Sequence, residues 1–318
     1  MSGHHHSHDH HHHHHHIDPD AGDARVFWAI AVNLGLTLAQ VVGGILAGSL
    51  ALIADALHNF SDAISLIIAF AARKIARRPA DAAMTFGYGR AEMVAALINY
   101  TTLIMIGLYL AYEAAFRFFD PQPVDGWLIV IIAGIALVVD AVTALLTYAM
   151  SKDSANIRAA FLHNLADAMG SVAVIVAGTL ILLYDWRLID PAVTLLIAAY
   201  ILWHSLAEIG GVIRVLMLGS PPGIETEAVI DHIRKVEGVS DVHHVHLWQM
   251  QEHQPALDCH VIILEGQWSQ ADAIKERCRA MLSEAFGIGH CTLELECARH
   301  ACPEPRTIGH AEPKASTG

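Results

Sequence analysis

Six stretches of the 318-residue chain, about 26–48, 50–73, 92–118, 126–150, 157–184 and 190–217, are apolar over the length a bilayer demands. A helix needs roughly 20 apolar residues to cross the hydrocarbon core. No water is available there, so each backbone N–H and C=O must be bonded within its own segment, which dictates helices. Composition agrees: 54% of residues are hydrophobic and 16% charged, against about a quarter charged in a soluble domain. The chain is therefore expected to be an α-helical membrane protein with six transmembrane helices.

Only AGS separates the first two stretches, which predicts a tight helical hairpin. Arg73, Lys74, Arg77, Arg78 and Arg90 crowd the next connection, and further Lys and Arg occur at 152–158 and from Arg214 onward. Arg117 and Arg187 alone lie towards the other side. The positive-inside rule then puts both termini and the basic loops in the cytoplasm of an inner-membrane, multi-pass protein. The start of the chain lacks a cleavable signal pattern, so insertion is expected to use the first span.

After GSPPG (219–223) the pattern changes. ETEAVIDHIRKV reads as an amphipathic helix, VSDVHHVHLWQM and ALDCHVIIL as strands, SQADAIKERCRAMLSEAF as a helix and CTLELEC as a strand. This α-β-β-α-β order predicts a C-terminal α+β ferredoxin-like cytoplasmic domain. The expected division is 1–22, a histidine-rich disordered start; 23–218, the membrane domain; 219–302, the cytoplasmic domain; and 303–318, a disordered tail. All five cysteines fall in the polar third, as suits a reducing cytoplasm. No basic stripe supports nucleic-acid binding despite the net charge of -13 being unevenly spread.

ALHNFSDA (56–63) and FLHNLADA (161–168) put a histidine and an aspartate four residues apart inside apolar runs. On a helix such residues share a face. Ionisable side chains at membrane depth are costly, and are functional by default. His58, Asp62, His163 and Asp167 together offer two nitrogens and two carboxylate oxygens, a tetrahedral set suited to Zn²⁺ rather than to Ca²⁺ or Mg²⁺. Asp55, one turn before His58, is expected either to support the site or to hydrogen-bond helix ends. Asn59 and Asn164 are expected to make helix–helix contacts, and Asp140 in the fourth stretch has no evident role.

SLALIADALHNFSD, RPADAAMTFGYGRAE, FLHNLADAMGS and HHVHLW resemble the motifs of the cation diffusion facilitator family, in particular its bacterial zinc-type exporters of the cobalt-zinc-cadmium resistance subgroup. The resemblance runs from Phe27 to about Cys297. It implies a homodimer of six-span protomers in membrane lipid, exporting Zn²⁺, with Cd²⁺ or Co²⁺ as possible substrates, against entering H⁺. It also implies that His58, Asp62, His163 and Asp167 are the transport-site ligands. Some relatives use histidines near RPAD and FGYG for another site; Met84 and Tyr88 stand there, beside Asp81, so that site is expected to be missing.

Strand periodicity puts His244 and His246 on one face and His243 on the other with Val245. Regulatory zinc in the family implies His243, His260 and Glu296 as ligands, with Asp272 as a fourth or His246 as an alternative. CARHAC groups Cys297, His300 and Cys302 as further donors or as free thiols. The N-terminal histidine run is either a native low-affinity metal tract or a purification tag. Two other functions compete with transport: an intramembrane zinc enzyme, which lacks an evident general base, and a metal sensor or regulatory subunit, which would not need both membrane pairs.

Overall fold

The computed structural model describes residues 34–150, 155–251, 254–302 and 306–309, with backbone alone at positions 66, 146, 147, 149, 150, 155–160 and 163. The expected histidine-rich start (1–22) therefore lies outside the described residues, as does the first part of the first span. Helices run Leu34–Ala47 (α1), Leu50–Ala76 (α2), Ala91–Phe119 (α3), Gly126–Met150 (α4), Ala155–Tyr184 (α5) and Ile189–Leu216 (α6). Five of them are long and apolar enough to span a membrane; α1 is the described part of the remaining expected span. Large apolar side chains such as Leu46, Phe70, Met105, Val138, Leu196 and Trp203 are exposed along them, which is the surface a lipid solvent requires.

The chain divides into two compact units, Met1–Ala63 with Phe116–Thr194, and Ile64–Ala115 with Leu195–Gly318. In the first, α1 and α2 meet at Gly48–Ser49. Gly48 has φ +68°, and a Cβ there would lie 2.6 Å from the Pro123 carbonyl oxygen. Ser49 Oγ accepts the Leu52 N–H at 3.1 Å and donates to Asp190. Asp190 in turn accepts the backbone N–H groups of Leu50 (2.8 Å) and Ala51 (3.3 Å), the unpaired donors of a helix start. Arg117 completes this cluster, 3.7 Å from the Asp190 carboxylate and donating to the Gly48 carbonyl at 2.6 Å. α4 and α5 pack closely where Gly178 leaves room for Ile129, whose Cγ2 would be 2.8 Å from an added Cβ.

In the second unit, Arg90 at the start of α3 donates to the carbonyls of Gln249 and Met250 at 3.2 and 3.1 Å. The polar third forms α7 (Thr226–Arg234), β1 (Val239–Gln251), β2 (Gln254–Ile263), α8 (Ala271–Phe286) and β3 (His290–Cys297). β1 pairs antiparallel with β2, and β2 pairs parallel with β3, in the order β1-β2-β3. Val242, Val245, Leu247, Leu257, Val261 and Leu293 face Ile230, Ile233, Ile274 and Leu282 of the two helices in one core. Residues 306–309, within the tail expected to be disordered, run beside β1, with Ile308 bridged to Val245.

Asp190 is fully buried and holds up a helix start. Replacing it by Ala removes the carboxylate facing Arg117 and the acceptor of three donors, and removing one partner of a buried pair costs about 3–5 kcal/mol. Asp190→Ala should therefore melt well below the parent in a thermal-unfolding scan of the detergent-solubilised protein. Exposed Asp185→Ala should melt with the parent.

Candidate metal sites

His58 sits in the third turn of α2, and Asp62 is one turn further on. The His58 Nε2 lies 3.7 Å from Asp62 Oδ2 and 3.4 Å from Asp167 Oδ1 of α5. The three side chains expose only 14, 24 and 11% of their surface. One donor atom from each falls within 4.8 Å of the others, close enough to share an ion. His163 stands in α5 one turn before Asp167; its side chain lies outside the described residues.

Around this triad is a polar shell that the sequence disclosed only in part. Gln40 of α1 donates to Asp55 at 2.7 Å and accepts from Asn59 at 3.4 Å, so one amide serves both α2 groups. Asn59 thus makes a contact between helices. Asp140 of α4 accepts from Ser171 of α5 at 3.0 Å. Gln40 went unnoticed in the sequence because a single amide in an apolar run carries no spacing signature.

The second cluster lies on the sheet face away from the helices. His243 pairs with His260 across β1 and β2. Here strand periodicity misleads: His243 does not point with Val245. A one-residue bulge interrupts β1 between His243 and His246, where His244 takes φ +59°. Val242 and Val245 therefore both enter the core, while the imidazoles gather on the opposite face. His243 and His260 rings are 5.1 Å apart, and His244 stacks on His260 at 4.7 Å.

Glu296 of β3 closes this group, 2.7 Å from His260 Nδ1 and 3.4 Å from His243 Nε2. The longer approach lacks hydrogen-bond alignment, and among the described residues neither ring nitrogen of the 2%-exposed His243 has a hydrogen-bond partner. Such a buried polar group costs about 1–3 kcal/mol unless something binds it, so the donor set fits a cation. The fourth donor within 4.8 Å is Cys302. Asp272, expected as a fourth ligand, is exposed in the first turn of α8 and is outside this group of donors. His246 lines a cleft of about 820 Å³ with Met84, Phe86, Tyr88 and Trp248.

The CARHAC donors separate. Cys297 Sγ is 3.0 Å from His300 Nδ1, and that bond holds the Cys297 thiol below its ordinary value. Cys302 turns to Glu296, 3.8 Å away; partial burial and the carboxylate's charge raise its thiol. Cys259 and Cys278 are buried in the helix-side core, with burial pushing Cys278 up to about 11.

With both clusters in place, sequence comparison identifies the chain's relatives. The cation efflux transmembrane domain matches residues 26–217, and the cation efflux protein cytoplasmic domain matches residues 221–298. The chain belongs to the cation efflux family. A cadmium, cobalt and zinc/H⁺-K⁺ antiporter of Bacillus velezensis is 36% identical over 269 residues, 84% of this chain and 86% of that one. The zinc transporter ZitB of Pectobacterium atrosepticum is 36% identical over 291 residues, 91% and 89% of the two chains. The metal cation efflux system protein CzcD of Cupriavidus metallidurans is 31% identical over 280 residues, 88% of each. These cation efflux relatives are named as transport proteins, not enzymes, and the chain is a membrane protein of that kind.

In this cation efflux protein, Asp81 is engaged in a local cap. Its Oδ1 accepts the N–H groups of Ala83 and Met84, each at 2.8 Å, and its Oδ2 accepts from Tyr88 at 2.8 Å. The Tyr88 hydroxyl, then the two N–H groups, hold its carboxyl below the usual range. A lowered value means the contribution is complete above the ordinary value of about 3.9 and fades only as pH falls through the lowered one. Asp81→Ala should speed trypsin cleavage at Arg78 and Arg90 relative to the parent, by the same ratio at pH 6 and pH 8.

Proposed function

We propose that the chain exports cytoplasmic Zn²⁺ across the inner membrane in exchange for H⁺, by alternating access, with Cd²⁺ and Co²⁺ as further substrates. The observation that carries this is the approach of His58 to carboxylates from two different spans, Asp62 and Asp167, at membrane depth. With His163 one helical turn from Asp167, the donors number four, two imidazoles and two carboxylates, as tetrahedral zinc prefers. Substrate binding requires neutral histidine and ionised aspartate, so it expels protons, and reprotonation from the outside favours release. The named substrates of the relatives support zinc, cadmium and cobalt as the class.

Both termini face the cytoplasm, and the protein works as a homodimer through its cytoplasmic domain. In the proposed division, residues 23–218 form the transport domain and 219–302 a regulatory domain. In the latter, His243, His260 and Glu296 hold zinc and bias the rocking of the membrane helices. Cation binding there would engage the buried His243 nitrogens and the neighbouring Glu296 carboxylate.

In proteoliposomes with an imposed pH gradient, the parent should move Zn²⁺. Asp62→Ala and Asp167→Ala should each lose at least the ~10-fold that loss of even an outer metal partner costs. Parental flux in either variant would exclude the four-ligand transport site.

A further inference from the structure

Cys302 reaches the His243–His260–Glu296 group from beyond the end of β3, along a chain that does not stop there. After residues 303–305, which lie outside the described residues, residues 306–309 lie along the free edge of β1. His244 N–H donates to the Arg306 carbonyl at 2.8 Å, Val245 N–H to the Thr307 carbonyl at 3.0 Å, and Gly309 N–H back to the Val245 carbonyl at 3.3 Å. The same bulge serves both partners of β1. It turns His243 into the donor cluster and presents the next two N–H groups to the tail.

We propose that Cys302, as its thiolate, is the fourth ligand of the cytoplasmic cluster, and that cation binding there fastens residues 306–309 onto β1 as an added strand. The inference rests on the cluster being a metal site. Two imidazoles, a carboxylate and a thiolate make a four-donor set of the kind that takes Zn²⁺, and the sulfur extends it to softer Cd²⁺ while disfavouring Mg²⁺ and Ca²⁺. On binding, the S–H bond of Cys302 breaks, its proton passes to water and a sulfur–metal bond forms.

Mechanical coupling follows from chain length. Arg306 follows Cys302 by four positions, a span of at most about 14 Å. A fixed Cys302 therefore confines the strand to the neighbourhood of its edge, lowering the entropy lost on pairing. Without that anchor the pairing is weak. Arg306, Thr307 and Ile308 are exposed, and Val245–Ile308 is an isolated bridge. So short a strand is marginal alone. The tail thus reports the occupancy of the site.

The test uses the full chain in lipid nanodiscs, with Asp62→Ala and Asp167→Ala removing zinc at the membrane site. Zn²⁺ is titrated, bound zinc is counted, iodoacetamide labelling is mapped to each cysteine, and trypsin cleavage after Arg306 is timed. Zinc should slow both Cys302 labelling and Arg306 cleavage about tenfold or more, the scale on which metal partners matter. Cys291 labelling should stay unchanged. In Cys302→Ser, zinc should bind more weakly and no longer protect Arg306, while His243→Ala should lose the zinc itself. Zinc-independent labelling of Cys302, or full protection of Arg306 in Cys302→Ser, would overturn the proposal. If His243→Ala still loses one bound zinc in that case, the metal site stands and only the thiolate and strap fail. If zinc content does not change in His243→Ala, both fall.

Discussion

A carboxylate among apolar helices must meet a cation, a proton or a hydrogen-bond donor, and the membrane half of this protein is arranged around that necessity. Asp62 and Asp167 approach the same imidazole, His58, from two helices. Asp55 draws on the Gln40 amide, Asp140 on the Ser171 hydroxyl, and Asp190 on a helix start and Arg117. The last three are supplied by neighbours of fixed composition. The triad alone is made wholly of groups whose charge can change, and a site that loads and unloads a divalent cation needs that property.

The cytoplasmic domain handles the converse case, a buried base. His243 is enclosed, with neither nitrogen hydrogen-bonded among the described residues, beside a carboxylate that already serves His260. The donor-rich face opposes the face that packs on α7 and α8, so ligand geometry there can change without disturbing the apolar core.

Much of this was legible in the residues. Apolar length alone located α2 to α6 to within a few residues, because the bilayer allows one backbone solution. The i, i+4 repeat of His and Asp predicted that His58 and Asp62 share a face, and the element order predicted the small α+β domain. What could not be read were features set by non-local packing. Gln40 and Asp190 gain their partners only when distant helices meet. The bulge at His244 shifts the phase of β1, so counting by twos put His243 with Val245. Cys302 replaced Asp272 in the donor group because the chain turns back after β3, a path that no periodicity encodes.

The pinning of α2 at its first turn has a geometric corollary. With Ser49, Leu50 and Ala51 held by Asp190, the helix becomes a ruler measured from a fixed zero. His58 stands nine residues along it from Ser49, at about 1.5 Å each, hence roughly 13 Å from the anchor. That is a little under half of the ~30 Å hydrocarbon thickness. Each added or deleted residue on that stretch would shift the depth only slightly, yet would rotate His58 by about 100° around the helix axis, away from Asp167. The stretch between the anchor and the histidine is therefore fixed in length.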